Sequence, residues 1–326
     1  MIVTWSTIPV PVKQFVLEYL DYDSRCNLKL TSKDNKDLVN SSKYVAKVVS
    51  IGEQKGKVRS IIFLRFESKL LELREEKEGM TEVFIRDLEK NEEPIKVKEI
   101  KKSRYDVAKN WIDKISHEGK IEAKTIRILN LSMEPSEDWI IKCEALETRM
   151  LGAKNQQMWL QKTEPKLKKL DITDWGISGI FDMPQVKNTS EVVKLSRDVE
   201  ITDEQLEKIE APSLIVFSAD GTLTEVGAKK AFKKYLENSR YGDRFELKFS
   251  IPPCFNHMDL FNKNWVVRKT GPMDDTEGEY HYTITGGFNN INGVTVIPTV
   301  IIFDFSSYMT IKAFHFQSEI RSPLFY

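Results

Sequence analysis

The residues best arranged for chemistry stand at the end of one apolar run. Leu214-Ile-Val-Phe217 leads into Ser218, Ala219, Asp220, Gly221 and Thr222. An apolar strand that stops on such a segment puts a carboxylate and two hydroxyls at the edge of a sheet, and the Asp-Gly pair favours a tight turn there. A serine such as Ser218 without an adjacent base attacks poorly at neutral pH. The four histidines, His117, His257, His281 and His315, are scattered. Cys254 and His257 lie close together, yet no second ligand pair stands at metal spacing. The three cysteines, Cys26, Cys143 and Cys254, are odd in number and far apart. They suggest no disulfide framework and fit reduced thiols. There is no phosphate-binding glycine loop, no dinucleotide signature and no nucleophile elbow. No cofactor and no metal are therefore expected.

The segment around Ser218 resembles the first motif of the haloacid-dehalogenase-type phosphatases, in which an apolar strand ends in Asp-x-Asp-Gly-Thr. The resemblance implies a nucleophilic first aspartate and an acid/base second one. Here Ser218 replaces the first, which also removes a carboxylate needed for magnesium. The expected reading is a plain strand–turn–helix join with no phosphatase turnover, and the alternative is a hydrolase acting through Ser218 and Asp220.

Bulk properties bound the rest. The chain has 326 residues, 40% of them hydrophobic, enough for two domains with a sizeable core. Lys plus Arg and Asp plus Glu are 49 each, so the net charge is zero. That balance makes no electrostatic case for nucleic acid or an anionic membrane as partner. No stretch approaches the ~18 uninterrupted apolar residues of a membrane helix. The start, MIVTWSTIPVPVKQF, does not read as a secretion signal. A cytoplasmic or nuclear location is expected.

Residues 4–50 read as three short helices. Pro9 and Pro11 open the first, where a missing N–H costs least. Val12, Val16, Leu17 and Leu20 follow at helical spacing. Asp23 or Ser24 suits the cap of the second helix, which carries Leu28 and Leu30, and Thr31 or Ser32 suits the cap of the third. Ile8, Pro9, Val12, Val16, Leu17, Leu20, Leu28 and Leu30 exceed what three short helices can hide, so part of this surface should meet a partner or the following domain.

Further on, KVRSIIFLRF reads as a strand. Ser103 with Asp106 opens a helix carrying Val107, Ala108, Trp111, Ile112 and Ile115. Residues 136–162 read as one or two helices and 223–238 as another. The charge runs Glu72–Glu78 and Lys96–Lys102 read as solvated faces. Between helices lie short apolar segments of one shape, such as Ile126–Leu129–Leu131, Leu167–Leu170–Ile172 and Val58–Ile61–Phe63. Their markers Leu129, Leu170, Leu195, Phe217 and Leu247 are spaced 41, 25, 22 and 30 apart. Leucine-rich repeats run at roughly 20–29 residues. The expected fold is mixed α/β: a three-helix module over 1–50, then a degenerate leucine-rich-repeat-like stack over 55–326 in which Ile126–Leu131 and Leu167–Ile172 are neighbouring parallel strands. Strand candidates at 264–270, 279–285, 295–305 and 310–316 make a β-rich end over about 262–318 that caps the stack.

The N-terminal residues also carry a resemblance. Trp5 to Pro9, then Val12, Val16-Leu17 and Leu20-Asp21, then Ser24-Arg25, Leu28 and Leu30 to Lys33 resemble the F-box, with Ile8-Pro9 in place of the common Leu-Pro. The set resembles the expanded nematode F-box proteins, whose C-terminal halves carry divergent, often repeat-like associated domains. The resemblance implies contact with a Skp-type adaptor through the eight apolar residues named above, and through it with a cullin. It implies a substrate receptor of a ubiquitin ligase, with an unknown protein target and no catalytic residues of its own. A plain repeat scaffold without ligase role is the other reading.

Overall fold

The computed structural model describes residues 5–250 except 21, 43, 57–59, 78, 91, 117–118, 219–221 and 241, together with the backbone of five strands between 266 and 317. It divides into two compact units, Met1–Cys143 and Glu144–Tyr326. Among the described residues no helix is long and apolar enough to cross a membrane.

The first unit opens with a 3-10 turn at Trp5–Thr7 and three helices, α1 (Val10–Tyr19), α2 (Tyr22–Lys29) and α3 (Lys33–Ser41). Five antiparallel strands follow in sequence order, β1 (Ala46–Lys55), β2 (Ser60–Phe66), β3 (Lys69–Lys77), β4 (Met80–Asp87) and β5 (Ile95–Ile100). Helix α4 (Arg104–Ile115) then crosses over to β6 (Lys120–Leu129), which pairs parallel with β1. One face of this sheet is the core. Val49, Ile51, Ile62, Leu64, Leu71, Leu73 and Val83 are buried, as are Val107, Ala108 and Ile112 on α4. Each such aliphatic side chain contributes roughly 1.5–3 kcal/mol when taken out of water. Ser103 caps α4 as its sequence suggests, accepting the Asp106 N–H at 3.2 Å.

A buried carboxylate ties α4 to the sheet. Glu53 on β1 accepts a hydrogen bond from Arg104 Nη2 at 2.8 Å, from the Tyr105 hydroxyl at 3.2 Å and from the Ser132 N–H at 3.3 Å. Burial opposes the charge of Arg104, but Tyr105, Glu53 and Glu75 outweigh it and raise the guanidinium's pKa.

The meander over 46–100 differs from the expected repeat stack. Ile61 and Phe63 lie on β2, antiparallel to both neighbours, whereas repeat strands run parallel; Val58 is outside the described residues. The two charge runs lie largely on β3 and β5, where their long side chains disguise strands as solvated segments.

In the second unit the strands are parallel and joined by helices. The unit boundary falls inside β7 (Ile140–Arg149). Then come α5 (Ala153–Gln161), β8 (Lys169–Thr173), α6 (Pro184–Lys187), β9 (Val192–Val199), α7 (Asp203–Glu207), β10 (Ser213–Ser218), α8 (Glu225–Asn238) and β11 (Arg244–Ser250). β7 to β11 pair in sequence order. Leu146, Leu170, Val193, Leu214 and Phe245 occupy one rank across them, all buried. Thr148, Ile172, Leu195, Val216 and Leu247 occupy the next.

Two expectations are corrected here. Residues 140–149 form a strand rather than a helix: Ile141 and Cys143 are buried while Lys142 and Glu144 are exposed, a period of two. Lys, Glu, Ala and Leu favour helix intrinsically, and tertiary burial overrides them. The extra strand accounts for the interval of 41 between Leu129 and Leu170. It also takes the neighbouring position expected for Ile126–Leu131, because β8 pairs with β7 on one side and β9 on the other. Phe217 alternates with the buried face of β10 and is only half-buried, so it belongs to neither rank.

The C-terminal strands fall near where their composition places them. β12 (Val266–Thr270), β13 (Tyr280–Thr285), β15 (Val294–Asp304) and β16 (Tyr308–Gln317) form an antiparallel meander, with β14 (Asn289–Ile291) paired to β15. β16 pairs antiparallel with β11, so the meander covers the free edge of the last parallel strand. The turn pairs Gly271-Pro272, Gly286-Gly287 and Asn292-Gly293 between these strands lie outside the described residues.

Thr148 offers a stability test. Its side chain is fully buried in the apolar rank, and its hydroxyl has no hydrogen-bond partner. Valine keeps the branched shape and removes the unsatisfied group, which costs about 1–3 kcal/mol when buried. Thr148→Val should raise the free energy of unfolding by about 1 kcal/mol or more, read by urea denaturation.

Candidate functional site

Short-range bonds shape the three N-terminal helices. Pro9 precedes α1 with φ −58°, and its carbonyl accepts the N–H groups of Val12 and Lys13 at 3.0 and 3.1 Å. α2 begins at Tyr22 with Asp23 in its first turn, where a negative charge favours the helix dipole. Ser32 caps α3, accepting the Asn35 N–H at 3.1 Å. The Trp5 indole N–H donates to Asn35 Oδ1 at 2.8 Å and ties the opening turn to α3.

Arg25 is the buried centre of the module. Its guanidinium donates to the Leu17 carbonyl and to Ser42 Oγ, and its carbon lies 4.7 Å from the centre of the Tyr44 ring. Burial lowers the guanidinium's pKa, and Tyr44 and Glu18 act against that shift. The module is also fastened to the adjoining sheet. Lys69 on β3 pairs with Asp23 at 3.2 Å, and the Tyr44 hydroxyl donates to Glu67 at 2.8 Å.

The eight candidate residues separate by burial. Leu17 is fully buried and belongs to the bundle's own core. Ile8, Val16, Leu20 and Leu28 are half-buried. Pro9 is exposed, as are Val12 at 48% and Leu30 at 85%. Sequence reasoning passed over two larger groups. Phe15 is 57% exposed and Tyr19 75%, with their rings edge-to-face at 5.1 Å. Val12, Phe15, Val16 and Tyr19 follow the spacing i, i+3, i+4, i+7 and make one stripe along α1, while Leu17 turns inward. That spacing was the signal to read. Aromatic residues open to water on a short helix mark a contact surface, because they cover much area at little entropy cost.

The other sequence candidate gains less. Ser218 ends β10, is buried, and its hydroxyl lies 2.8 Å from that of Thr222; Asp220 is outside the described residues. β10 is followed by α8, which starts at Glu225 behind a Thr224 cap, and the expected Asp220-Gly221 turn between them lies outside the described residues. Among the described residues no group of three or more His, Cys, Asp or Glu is placed to hold a metal.

The three helices thus form a small module with an exposed apolar stripe along α1. Residues 5–47 match the F-box domain, so this part of the chain is an F-box, a module that in general binds Skp-type adaptors. No curated protein matches the chain, and no solved structure does.

Proposed function

We propose that the chain is a substrate-receptor subunit of a Skp-cullin-F-box-type ubiquitin ligase. The observation that carries this reading is the α1 stripe in which Val12, Phe15 and Tyr19 stand open to water around the half-buried Val16, in a segment that matches the F-box. Pro9, Val12, Phe15, Tyr19 and Leu30 make the adaptor contact, with Ile8, Val16, Leu20 and Leu28 at its base and Leu17 supporting α1 from inside. The adaptor links the chain to a cullin. The remainder, from about residue 55, binds a target protein and carries no catalysis. The parallel β7–β11 run with helical crossovers supports a repeat-like associated region of the expanded nematode type, in the cytoplasm or nucleus. The test is binding of the full chain to a purified Skp-type adaptor by calorimetry. A one-to-one complex at micromolar concentration or tighter is expected, with little dependence on salt because the stripe is apolar. A well-folded chain that does not bind the adaptor would leave the plain-scaffold reading in its place.

A further inference from the structure

The first unit holds a cavity of about 280 Å³ between α4 and the core face of its sheet. Its floor is Val49 and Ile51 of β1, Leu64 of β2 and Leu71 of β3, all buried. Trp111, Ile112 and Ile115 of α4 bound it from the helix side. Phe66, Ile85, Trp111 and Ile115 are half-buried, which marks the side on which the cavity meets water. Ser50, Arg65 and Leu70 border it through their backbone, because strand alternation sends their side chains to the other face of the sheet. β1, β2 and β3 are interior strands, so the ladders on both sides use those backbone groups.

This lining decides what can fill the space. An ordered water needs about two to four polar partners, and the inward side chains are aliphatic and aromatic apart from Lys69. Lys69 is already held by Asp87 at 2.8 Å and Asp23 at 3.2 Å. An anionic head group would have to displace one of those carboxylates, and a cationic one would meet Lys69 itself. Left empty, the space forfeits dispersion contacts on every wall. An apolar cavity of about 150 Å³ stays dry and takes up benzene, and nearly twice that volume has room for a second ring. A helix laid on a sheet leaves a flat space, and Phe66 and Trp111 offer ring faces and edges to an aromatic guest.

We propose that this cavity is a small-molecule site for a flat, uncharged aromatic hydrocarbon of about ten carbons. The guest lies between α4 and the sheet, with Val49, Ile51, Leu64 and Leu71 beneath it and Ile112 and Ile115 above. The site stands apart from the receptor reading, because its lining begins at Val49, beyond the segment 5–47 that matches the F-box.

The test uses naphthalene and the full chain. Calorimetry should show one-to-one binding at about 100 µM or tighter, and the melting temperature should rise with naphthalene concentration. The charged analogue 2-naphthoate and the linear 1-octanol should each bind about tenfold more weakly. Ile85→Phe and Ile115→Phe put a ring into the space from the sheet and from α4, and each should weaken naphthalene about tenfold or more. Ile95→Phe, at an exposed position on β5 outside the cavity, should bind as the wild type does. Nuclear Overhauser contacts in the wild type should run from naphthalene to the methyls of Ile51, Ile112 and Ile115, which locates the guest even where a filled variant folds poorly. No binding up to the solubility limit of naphthalene, or contacts to other methyls only, would overturn the proposal. So would unchanged affinity in well-folded Ile85→Phe and Ile115→Phe, or tighter binding of 2-naphthoate or 1-octanol.

Discussion

Phe15→Ala should lower adaptor affinity about thirtyfold or more and leave the fold intact. The ring stands at the centre of the α1 stripe, with Val12 and Val16 beside it and Tyr19 against its edge at 5.1 Å. It is more than half exposed, so its loss removes little packing from the bundle. An aromatic anchor central to an interface costs roughly 2 kcal/mol or more on truncation, which is the stated thirtyfold. Phe15→Asp should abolish binding, since a charge would then be desolvated against an apolar partner. Two comparisons make the result specific. Leu17→Ala, at a fully buried position, should unfold or loosen the module, with a cost of about 2–5 kcal/mol visible by circular dichroism. Ile8 and Pro9 changed together to Ala should weaken adaptor capture with an unchanged spectrum. Full adaptor affinity in well-folded Phe15→Ala and Phe15→Asp would remove the stripe from the interface.

Glu53→Ala should destabilise the first unit by about 3–5 kcal/mol, measured as a shift in its urea midpoint. The carboxylate is almost wholly buried, and Arg104, Tyr105 and Ser132 all point donors at it. Removing it leaves the Arg104 guanidinium, itself mostly buried, with Glu75 at 3.7 Å as its remaining carboxylate contact among the described residues, beside the Ser60 carbonyl and the Tyr105 hydroxyl. The cost is that of an uncompensated charge and not the worth of the pair. Glu53→Gln keeps an acceptor for the hydroxyl and the N–H and should lose less. Glu144→Ala, which breaks a half-exposed pair with Lys168, should change stability by about 1 kcal/mol or less. Equal effects at Glu53 and Glu144 would show that burial does not set the cost.

What the sequence by itself determined was set by interactions of short range. The caps at Ser32 and Ser103 reach a backbone N–H three residues on, so they need no tertiary contact. The three N-terminal helices, α4, α8 and the C-terminal strands were legible for that reason, and so was the F-box motif, which lies within one short segment. Residues 140–149 were not legible, because helix-forming Lys, Glu and Ala conceal an alternation that has meaning only once β8 lies alongside. The strands β3 and β5 were hidden in the same way by charged side chains that their sheet leaves in water. Burial also divided residues of equal hydrophobicity: Leu17 turned inward, and Phe15, two positions earlier, stayed in water, although composition treats them alike. Strand register shows the limit most plainly, since it aligns Arg127 of β6, Ser50 of β1, Arg65 of β2, Leu70 of β3 and Arg86 of β4. Arg65, Arg86 and Arg127 are 21 and 41 residues apart in sequence, and only strand register brings them onto one row, because pairing across a sheet joins residues by position along neighbouring strands and is blind to their separation along the chain.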